Sequence, residues 1–161
     1  MRCRFGTVEE HGGRVLRSRR AATAVLVVGL LVAIGGACSR GDATPRGRLV
    51  PVQLSDFKLT TPTLSVPPGY VTFRVRNAGP SMHEFIVDRT DVAADALPLN
   101  PDGITVNEKA KKLRTVDDLD EVRLNATRDL TLDLDPGRYV LYCNIEGHYR
   151  GGMYAMVEVK G

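Results

Sequence analysis

The sequence lacks blocks of like charge and is poor in histidine and cysteine. Its 161 residues include 3 His, 3 Cys and 4 Met. The 22 basic residues exceed the 19 acidic ones and give a net charge of +3. Residues 1–37 hold six Arg and two Glu, so the remainder has 16 basic and 17 acidic residues, a net charge of about −1. Because the basic excess is confined to the N-terminus, the sequence predicts no nucleic-acid-binding surface.

Residues 1–37 have the layout of an export signal. A basic region that ends in Arg19 and Arg20 precedes an uncharged run, residues 21–37, which closes on small residues. We therefore expect the protein to be exported and residues 1–37 to lie outside the folded domain. Residues 38–48 are polar and rich in Gly and Pro, and they are predicted to be a tether. Residues 49–161 have the length of one compact domain.

The residues around Cys38 predict a lipid anchor. Gly36, Ala37 and Cys38 are similar to a bacterial lipoprotein box, in which the cysteine is diacylated and becomes the new N-terminus. Gly35 departs from that box, which carries an aliphatic residue there. We expect anchoring to the outer face of the cytoplasmic membrane through Cys38. Plain cleavage after Ala37, and retention of the apolar run as a membrane-spanning helix, stay open as alternatives.

Cysteine usage leaves Cys143 without a partner. Exported proteins generally pair their cysteines. Cys3 leaves with the signal and Cys38 is assigned to the lipid, so Cys143 remains a free thiol. A free thiol in an oxidising compartment is a liability unless something holds it, and a bound metal is the simplest holder.

The domain alternates apolar and polar residues with a period of two, which predicts an all-β sandwich. Residues 88–121 interrupt this alternation with charged stretches. We interpret them as a solvated excursion between strands, with a docking surface as the alternative. The predicted strands are 49–59, 63–66, 70–77, 83–87, 130–134, 138–143 and a last strand that runs from Met153 through Val159.

Four residues form a candidate metal site. Cys143, His148 and Met153 have the spacing C-x4-H-x4-M, and His83 lies 60 residues before Cys143. A thiolate, two imidazoles and a thioether are the ligands of a blue-copper site, in which the Met sulfur is a long axial contact. Zinc competes for Cys and His, but a thioether is a poor ligand for it. The sequence therefore predicts one type 1 copper ion held by these four residues.

Strand alternation distinguishes between the available methionines, because side chains two residues apart share a face. Met153 shares parity with Val157 and Val159, an apolar row, whereas Met156 falls on the opposite face. Met153 is therefore the predicted axial ligand. By the same rule Cys143 lies on the face of Tyr139 and Leu141, and His83 on that of Phe85 and Val87.

Three stretches carry a resemblance to the cupredoxin family, in particular to exported members close to sulfocyanin and rusticyanin. They are Pro67-Pro68-Gly69-Tyr70-Val71-Thr72-Phe73, Asn77-Ala78-Gly79-Pro80-Ser81-Met82-His83-Glu84-Phe85, and the run from Pro136 to Met153. The resemblance implies a Greek-key β-sandwich with copper near one end. It also implies that the ring edge of His148 is exposed as the electron port. One departure is Glu84, where many cupredoxins have an Asn that braces the ligand loop.

The function expected from these features is one-electron transfer by a blue copper protein that is not an enzyme. It would act as a monomer outside the cytoplasmic membrane and exchange electrons with redox partner proteins. The alternative is copper storage or delivery without redox turnover. A His-rich or Met-rich tract would favour delivery, and the sequence has neither. A β-sandwich interaction module with a coincidental motif is the third interpretation.

Overall fold

The computed structural model describes residues 47–161, which form nine β-strands and no α-helix. The strands pack as two sheets, one in the order β2-β1-β4-β7 and the other in the order β3-β9-β8-β5-β6. The prediction of an all-β sandwich is confirmed. The strands are β1 (Arg48–Ser55), β2 (Lys58–Thr60), β3 (Ser65–Val66), β4 (Gly69–Asn77), β5 (His83–Arg89), β6 (Arg114–Val122), β7 (Thr127–Leu134), β8 (Gly137–Tyr142) and β9 (Tyr154–Val159).

The two sheets face each other across an apolar core. In β4, Val71, Phe73 and Val75 are 0 % exposed, while the residues between them are partly or fully exposed. Each such side chain contributes about 1.5–3 kcal/mol when it is fully buried. The predicted alternation is therefore present, and the core it builds holds the two sheets in a fixed relation.

Strand pairing brings the candidate ligands to one end of the larger sheet. β5 pairs antiparallel with β8, with Ile86 opposite Tyr142. The start of β5, at His83, therefore lies at the same end of the sheet as the end of β8, just before Cys143. In β9, Val157 and Val159 are buried, as the alternation predicted.

The interpretation of residues 88–121 as a solvated excursion is wrong. Residues 114–122 are β6, an edge strand that pairs antiparallel with β5. Just two of its nine residues are buried, because it lies at the edge of the sheet. Its sequence is therefore mostly charged and lacks the alternation of apolar and polar residues that predicts a strand. The preceding segment covers the outer face of the five-stranded sheet. A second buried cluster there contains Ile86, Leu97, Val106, Leu113, Val140, Tyr142 and Tyr149.

Two other predictions bear on the boundaries of the domain. The single strand expected over 49–59 is a hairpin, because Asp56 and Phe57 form a turn between β1 and β2. The signal segment 1–37, the lipid-anchor residue Cys38 and the tether up to residue 46 lie outside the described residues. Within residues 47–161 there is no helix with the length and hydropathy needed to cross a bilayer.

Candidate metal centre

Three of the four predicted ligands meet at one end of the sandwich. His83 is the first residue of β5, Cys143 follows β8, and His148 lies in the loop between β8 and β9. Their ligand atoms all lie within 4.8 Å of one another, and all three residues are buried. Nδ1 of His148 is 3.3 Å from Nδ1 of His83 and 3.5 Å from Sγ of Cys143. Two imidazoles and a thiol thus present their lone pairs to one buried point, which suits a single soft or borderline cation.

The sulfur of Cys143 is held by main-chain donors. Sγ accepts the backbone N–H of Glu84 at 3.4 Å and a backbone hydrogen bond from Ile145. Burial raises the pKa of the Cys143 thiol, and these hydrogen bonds oppose that rise. A cation at the site would supply the positive charge that a buried thiolate needs. The donor at position 84 is a main-chain N–H, which Glu and Asn both have. This hydrogen bond to the sulfur therefore does not depend on the departure from Asn.

His83 is fully buried and is suited to bind as a neutral imidazole. Burial lowers its pKa, and the nearby His148 lowers it further, while the Asp56 carboxylate acts in the opposite direction. A neutral imidazole keeps one lone pair free for a metal. Nδ1 of His83 faces the site, so the proton of the metal-binding tautomer belongs on Nε2.

The loop between β8 and β9 ties the other candidate ligands together. The N–H of Cys143 donates to the carbonyl of Met153 at 3.2 Å, and the N–H of Met153 donates to the carbonyl of His148 at 3.1 Å. Gly147 and Gly152 have φ values of 78° and 103°, which favour glycine. Met153 is 0 % exposed and belongs to the same buried core as Cys143. The structure therefore places Met153 beside the cluster, and its role as the axial ligand stays a prediction.

His148 is largely buried. It is 7 % exposed, because the ring of Phe57 packs edge-on against it at a centroid distance of 5.1 Å. Phe57 itself is 53 % exposed. A Cβ at Gly151 would lie 2.4 Å from the Phe57 ring, so glycine is required there for this contact. Phe57 therefore packs against the His148 ring, and the exposed ring edge that the resemblance implies stays a prediction.

Sequence reasoning missed the turn between β1 and β2 as part of the site. Phe57 has a φ of 59°, which is uncommon for a bulky residue, and Oδ1 of Asp56 lies 3.3 Å from Nε2 of His83. The turn lies 26 residues before His83 in a stretch that was predicted to be a strand. An Asp in the middle of an alternating apolar pattern was the signal that could have shown a break there.

Asn77 organises the loop that leads to His83. Its side chain is fully buried; Nδ2 donates to the carbonyls of Ser81 and Val122 at 2.7 and 2.8 Å, and Oδ1 accepts the N–H of Gly79 at 2.9 Å. These bonds satisfy both donors of the amide and fix the main chain just before His83. The sequence marked residues 77–80 as a turn but did not indicate that the Asn77 amide holds it together.

Asn144, the residue after Cys143, braces the outer segment against the ligand loop. Its Oδ1 accepts the N–H of Val106 at 2.6 Å, and its Nδ2 donates to the carbonyl of Val106 at 3.1 Å and to Glu108 Oε1 at 2.5 Å. Tyr149, next to His148, donates its hydroxyl to the carbonyl of Ala94 at 2.9 Å. The loop is thus supported on its outer side by residues 94–108.

The chain matches no known protein-family model and no curated protein in sequence. Solved structures show what it is similar to. Reduced auracyanin from the photosynthetic bacterium Roseiflexus castenholzii is 18 % identical and superposes with a TM-score of 0.55, over 70 % of this chain and 97 % of that one. Auracyanin A from Chloroflexus aurantiacus is 21 % identical with a TM-score of 0.50, over 70 % of this chain and all (100 %) of that one.

Reduced rusticyanin is a further similar structure, 20 % identical with a TM-score of 0.50, over 71 % of this chain and 81 % of that one. Residues 47–161 therefore have the cupredoxin fold, which the sequence motifs had indicated. The cluster of His83, Cys143 and His148 fits the type 1 copper site of such proteins. At these identities the comparison establishes the fold, and the function must be argued from the site itself.

Proposed function

We propose that this protein is a type 1 blue copper protein that carries one electron at a time. The observation that carries the proposal is the convergence of two imidazole Nδ1 atoms and one Cys sulfur within 4.8 Å in the buried end of a cupredoxin sandwich. This donor set is soft enough for reduced copper and acceptable to oxidised copper. Auracyanin A, one of the similar structures, is a blue copper protein, which supports the assignment.

Bound copper would supply the one-electron redox couple, and the protein's own residues would limit how much the site rearranges. His83 is fixed by strand pairing with β6, and the N–H of Cys143 is bonded to the carbonyl of Met153. Main-chain N–H groups of Glu84 and Ile145 point at the Cys143 sulfur and stabilise its negative charge. A site held in this way changes little between oxidation states, which suits rapid electron transfer.

Met153 would provide the weak fourth ligand. It ends the loop that carries Cys143 and His148, and it is fully buried in the core beside them. A thioether is a poor ligand for zinc but an accepted axial ligand for copper. The position of Met153 therefore supports copper as the resident metal.

We further propose that the carrier works outside the cytoplasmic membrane, anchored through Cys38, and exchanges electrons with redox partner proteins as a monomer. The support comes from the signal-like residues 1–37 and the lipoprotein-like residues before Cys38. Within residues 47–161 the free cysteine is Cys143, buried at the candidate site, as expected if a metal protects it in an oxidising compartment. Labelling of the expressed chain with a radioactive fatty acid, with Cys38→Ala as the control, tests the anchor.

Absorption spectroscopy combined with redox titration tests the copper function. The copper(II)-loaded protein should show an intense blue band from Cys143-to-copper charge transfer, and the band should bleach and recover over a reversible one-electron cycle. Cys143→Ser should abolish the band. Met153→Leu should shift the reduction potential, since it removes the proposed axial sulfur. Met156→Leu is its matched control, because Met156 lies on the outer face of β9, and it should leave the potential unchanged.

Each other outcome would overturn the electron-carrier assignment. A colourless copper(I) complex that cannot be oxidised would instead indicate copper storage or delivery. Failure to bind copper at all would leave a β-sandwich interaction module.

A further inference from the structure

The outer nitrogen of His83 lies in an unusual environment. Nε2 is buried, and no atom of residues 47–161 forms a hydrogen bond of proper geometry with it. One acceptor is nevertheless close, because Oδ1 of Asp56 lies 3.3 Å away. The other ring nitrogen, Nδ1, faces the candidate metal site and lies 3.3 Å from Nδ1 of His148. When Nδ1 binds a metal, Nε2 must carry the proton, and that buried N–H then requires an acceptor.

The carboxylate of Asp56 is fixed in place by contacts that do not involve His83. Its Oδ1 accepts the N–H of Ser81 at 3.3 Å, and its Oδ2 accepts the hydroxyl of Ser81 at 3.0 Å. The absence of a side chain at Gly79 lets the turn approach closely, since a Cβ there would lie 2.7 Å from Cα of Ser55 and 2.9 Å from the Asp56 nitrogen. The turn is therefore packed against the loop that leads into His83.

We propose that Asp56 is a positioning residue for the metal centre. It accepts the Nε2 proton of His83, which selects the tautomer with a free lone pair on Nδ1, and it places a negative charge beside the site. This inference rests on the proposed copper function. A carboxylate behind a ligating imidazole orients the ring and makes it a better donor. Its negative charge favours the oxidised, more positive state of the ion over the reduced one.

A purely structural role for Asp56 predicts a different result. If the carboxylate only fastened Ser81, the amide of Asn would replace it, with its oxygen accepting the N–H of Ser81 and its NH2 donating to the hydroxyl. The tautomer of His83 would then not depend on residue 56. Asp56→Asn keeps an acceptor oxygen and removes the charge. Asp56→Ala removes both. The two variants therefore separate the hydrogen bond from the electrostatic contribution.

Asp133→Asn is the matched control for loss of one negative charge. Asp133 is exposed and pairs with Tyr70, whereas Thr127, at the other end of β7, pairs with Arg76 near the site end of β4. Six residues of strand separate Asp133 from Thr127, about 20 Å at the usual rise. That separation exceeds the screening length of about 8–10 Å at ordinary ionic strength. The control should leave every property of the site unchanged.

The test uses the chain as exported, from residue 38 onward, in three measurements. Long-range ¹H–¹⁵N correlation spectra of the metal-free protein report which nitrogen of His83 carries the proton. Competition with a chelator gives the copper(II) affinity, and redox titration gives the reduction potential. The metal-free spectra keep the test of Asp56 separate from the copper proposal, because they remain informative even if the wild-type protein binds no copper.

We expect the wild-type protein and Asp56→Asn to hold the proton on Nε2, and Asp56→Ala to show a mixture of tautomers. Copper(II) affinity should fall about 10- to 100-fold in Asp56→Ala. In Asp56→Asn the blue band should persist while the reduction potential shifts upward. Wild-type tautomer, affinity and potential in both Asp56 variants would overturn the proposal. So would equal shifts in Asp56→Asn and Asp133→Asn.

Discussion

The two candidate histidine ligands are held in different ways. His83 begins a strand, is 0 % exposed and is enclosed by the sandwich core and the turn at Asp56. His148 lies on a loop shaped by glycines, is 7 % exposed and packs against the ring of Phe57. The sandwich core and the Asp56 turn therefore fix His83 whether or not a metal is present. His148 depends on the packing of its loop, and it is the ligand that lies nearer to the exterior.

The largest expected effect is the stabilisation of the folded protein by bound copper. Loss of either histidine ligand should reduce it to a similar extent. A ligand that binds only the folded state stabilises it by about 4 kcal/mol when its free concentration is 1,000 times its Kd. We expect copper to raise the free energy of unfolding by that amount in the wild-type protein, and far less in His83→Ala and in His148→Ala. Chemical denaturation with and without copper measures it. An unchanged stability of the wild-type protein on copper addition would remove the basis of the comparison.

The metal-free protein should separate the two histidines. His83→Ala leaves a cavity in a fully buried position and should lower the free energy of unfolding by about 3 kcal/mol. His148→Ala, in a loop, should cost about 1 kcal/mol. Urea denaturation of the two metal-free variants checks the difference. Equal losses of stability in the two variants would show that the sandwich core does not hold His83 more firmly than the loop holds His148.

The packing of Phe57 beside His148 can be tested by substitutions at Gly151 and Phe57. Gly151→Ala places a Cβ 2.4 Å from the ring of Phe57 and should cost about 2 kcal/mol by overpacking. Phe57→Gly removes the obstructing ring and relieves a backbone φ of 59°, so the cost of Gly151→Ala should largely vanish in the double variant. A double-mutant cycle from urea denaturation measures this coupling. Additive losses would mean that Phe57 does not pack on Gly151 in solution.

Asn144 tests the support of the loop from its outer side. Asn144→Ala removes the bonds to both main-chain groups of Val106 and should lower the free energy of unfolding by about 1 kcal/mol. The N–H of Val106 should lose hydrogen-exchange protection, while amides in β5 near His83 keep theirs. Equal loss of protection in both regions would contradict separate support for the two ligands.

The smallest effect is expected far from both histidines, at the exposed pair of Arg74 and Asp129. The hydrogen bond from Arg74 lowers the pKa of Asp129. Since the folded-state pKa lies below the unfolded value of about 4, any stabilisation is present above that pH and is lost as pH falls through the folded pKa. Asp129→Asn should reduce this acid-side slope slightly and leave the copper spectrum unchanged. Stability measured from pH 6 to pH 2 checks it.

The sequence was most informative where the pattern was local. Alternation correctly placed Cys143, Met153 and the inward row of β4, because neighbouring residues on a strand point to opposite faces. It missed Asp56, which is close to His83 in space but 27 residues away along the chain. Nothing in a single sequence states which turn folds over which ligand. The buried residues Leu97 and Val106 were missed for a different reason, because they lie in a segment without a periodic pattern.

A crystal structure of the copper-loaded protein, with anomalous scattering recorded at the copper absorption edge, shows directly whether these residues hold copper. We expect one strong anomalous peak at coordination distance from Nδ1 of His83, Sγ of Cys143 and Nδ1 of His148, with Sδ of Met153 as a longer axial contact. A peak elsewhere, or none at the point where those three atoms converge, would contradict it.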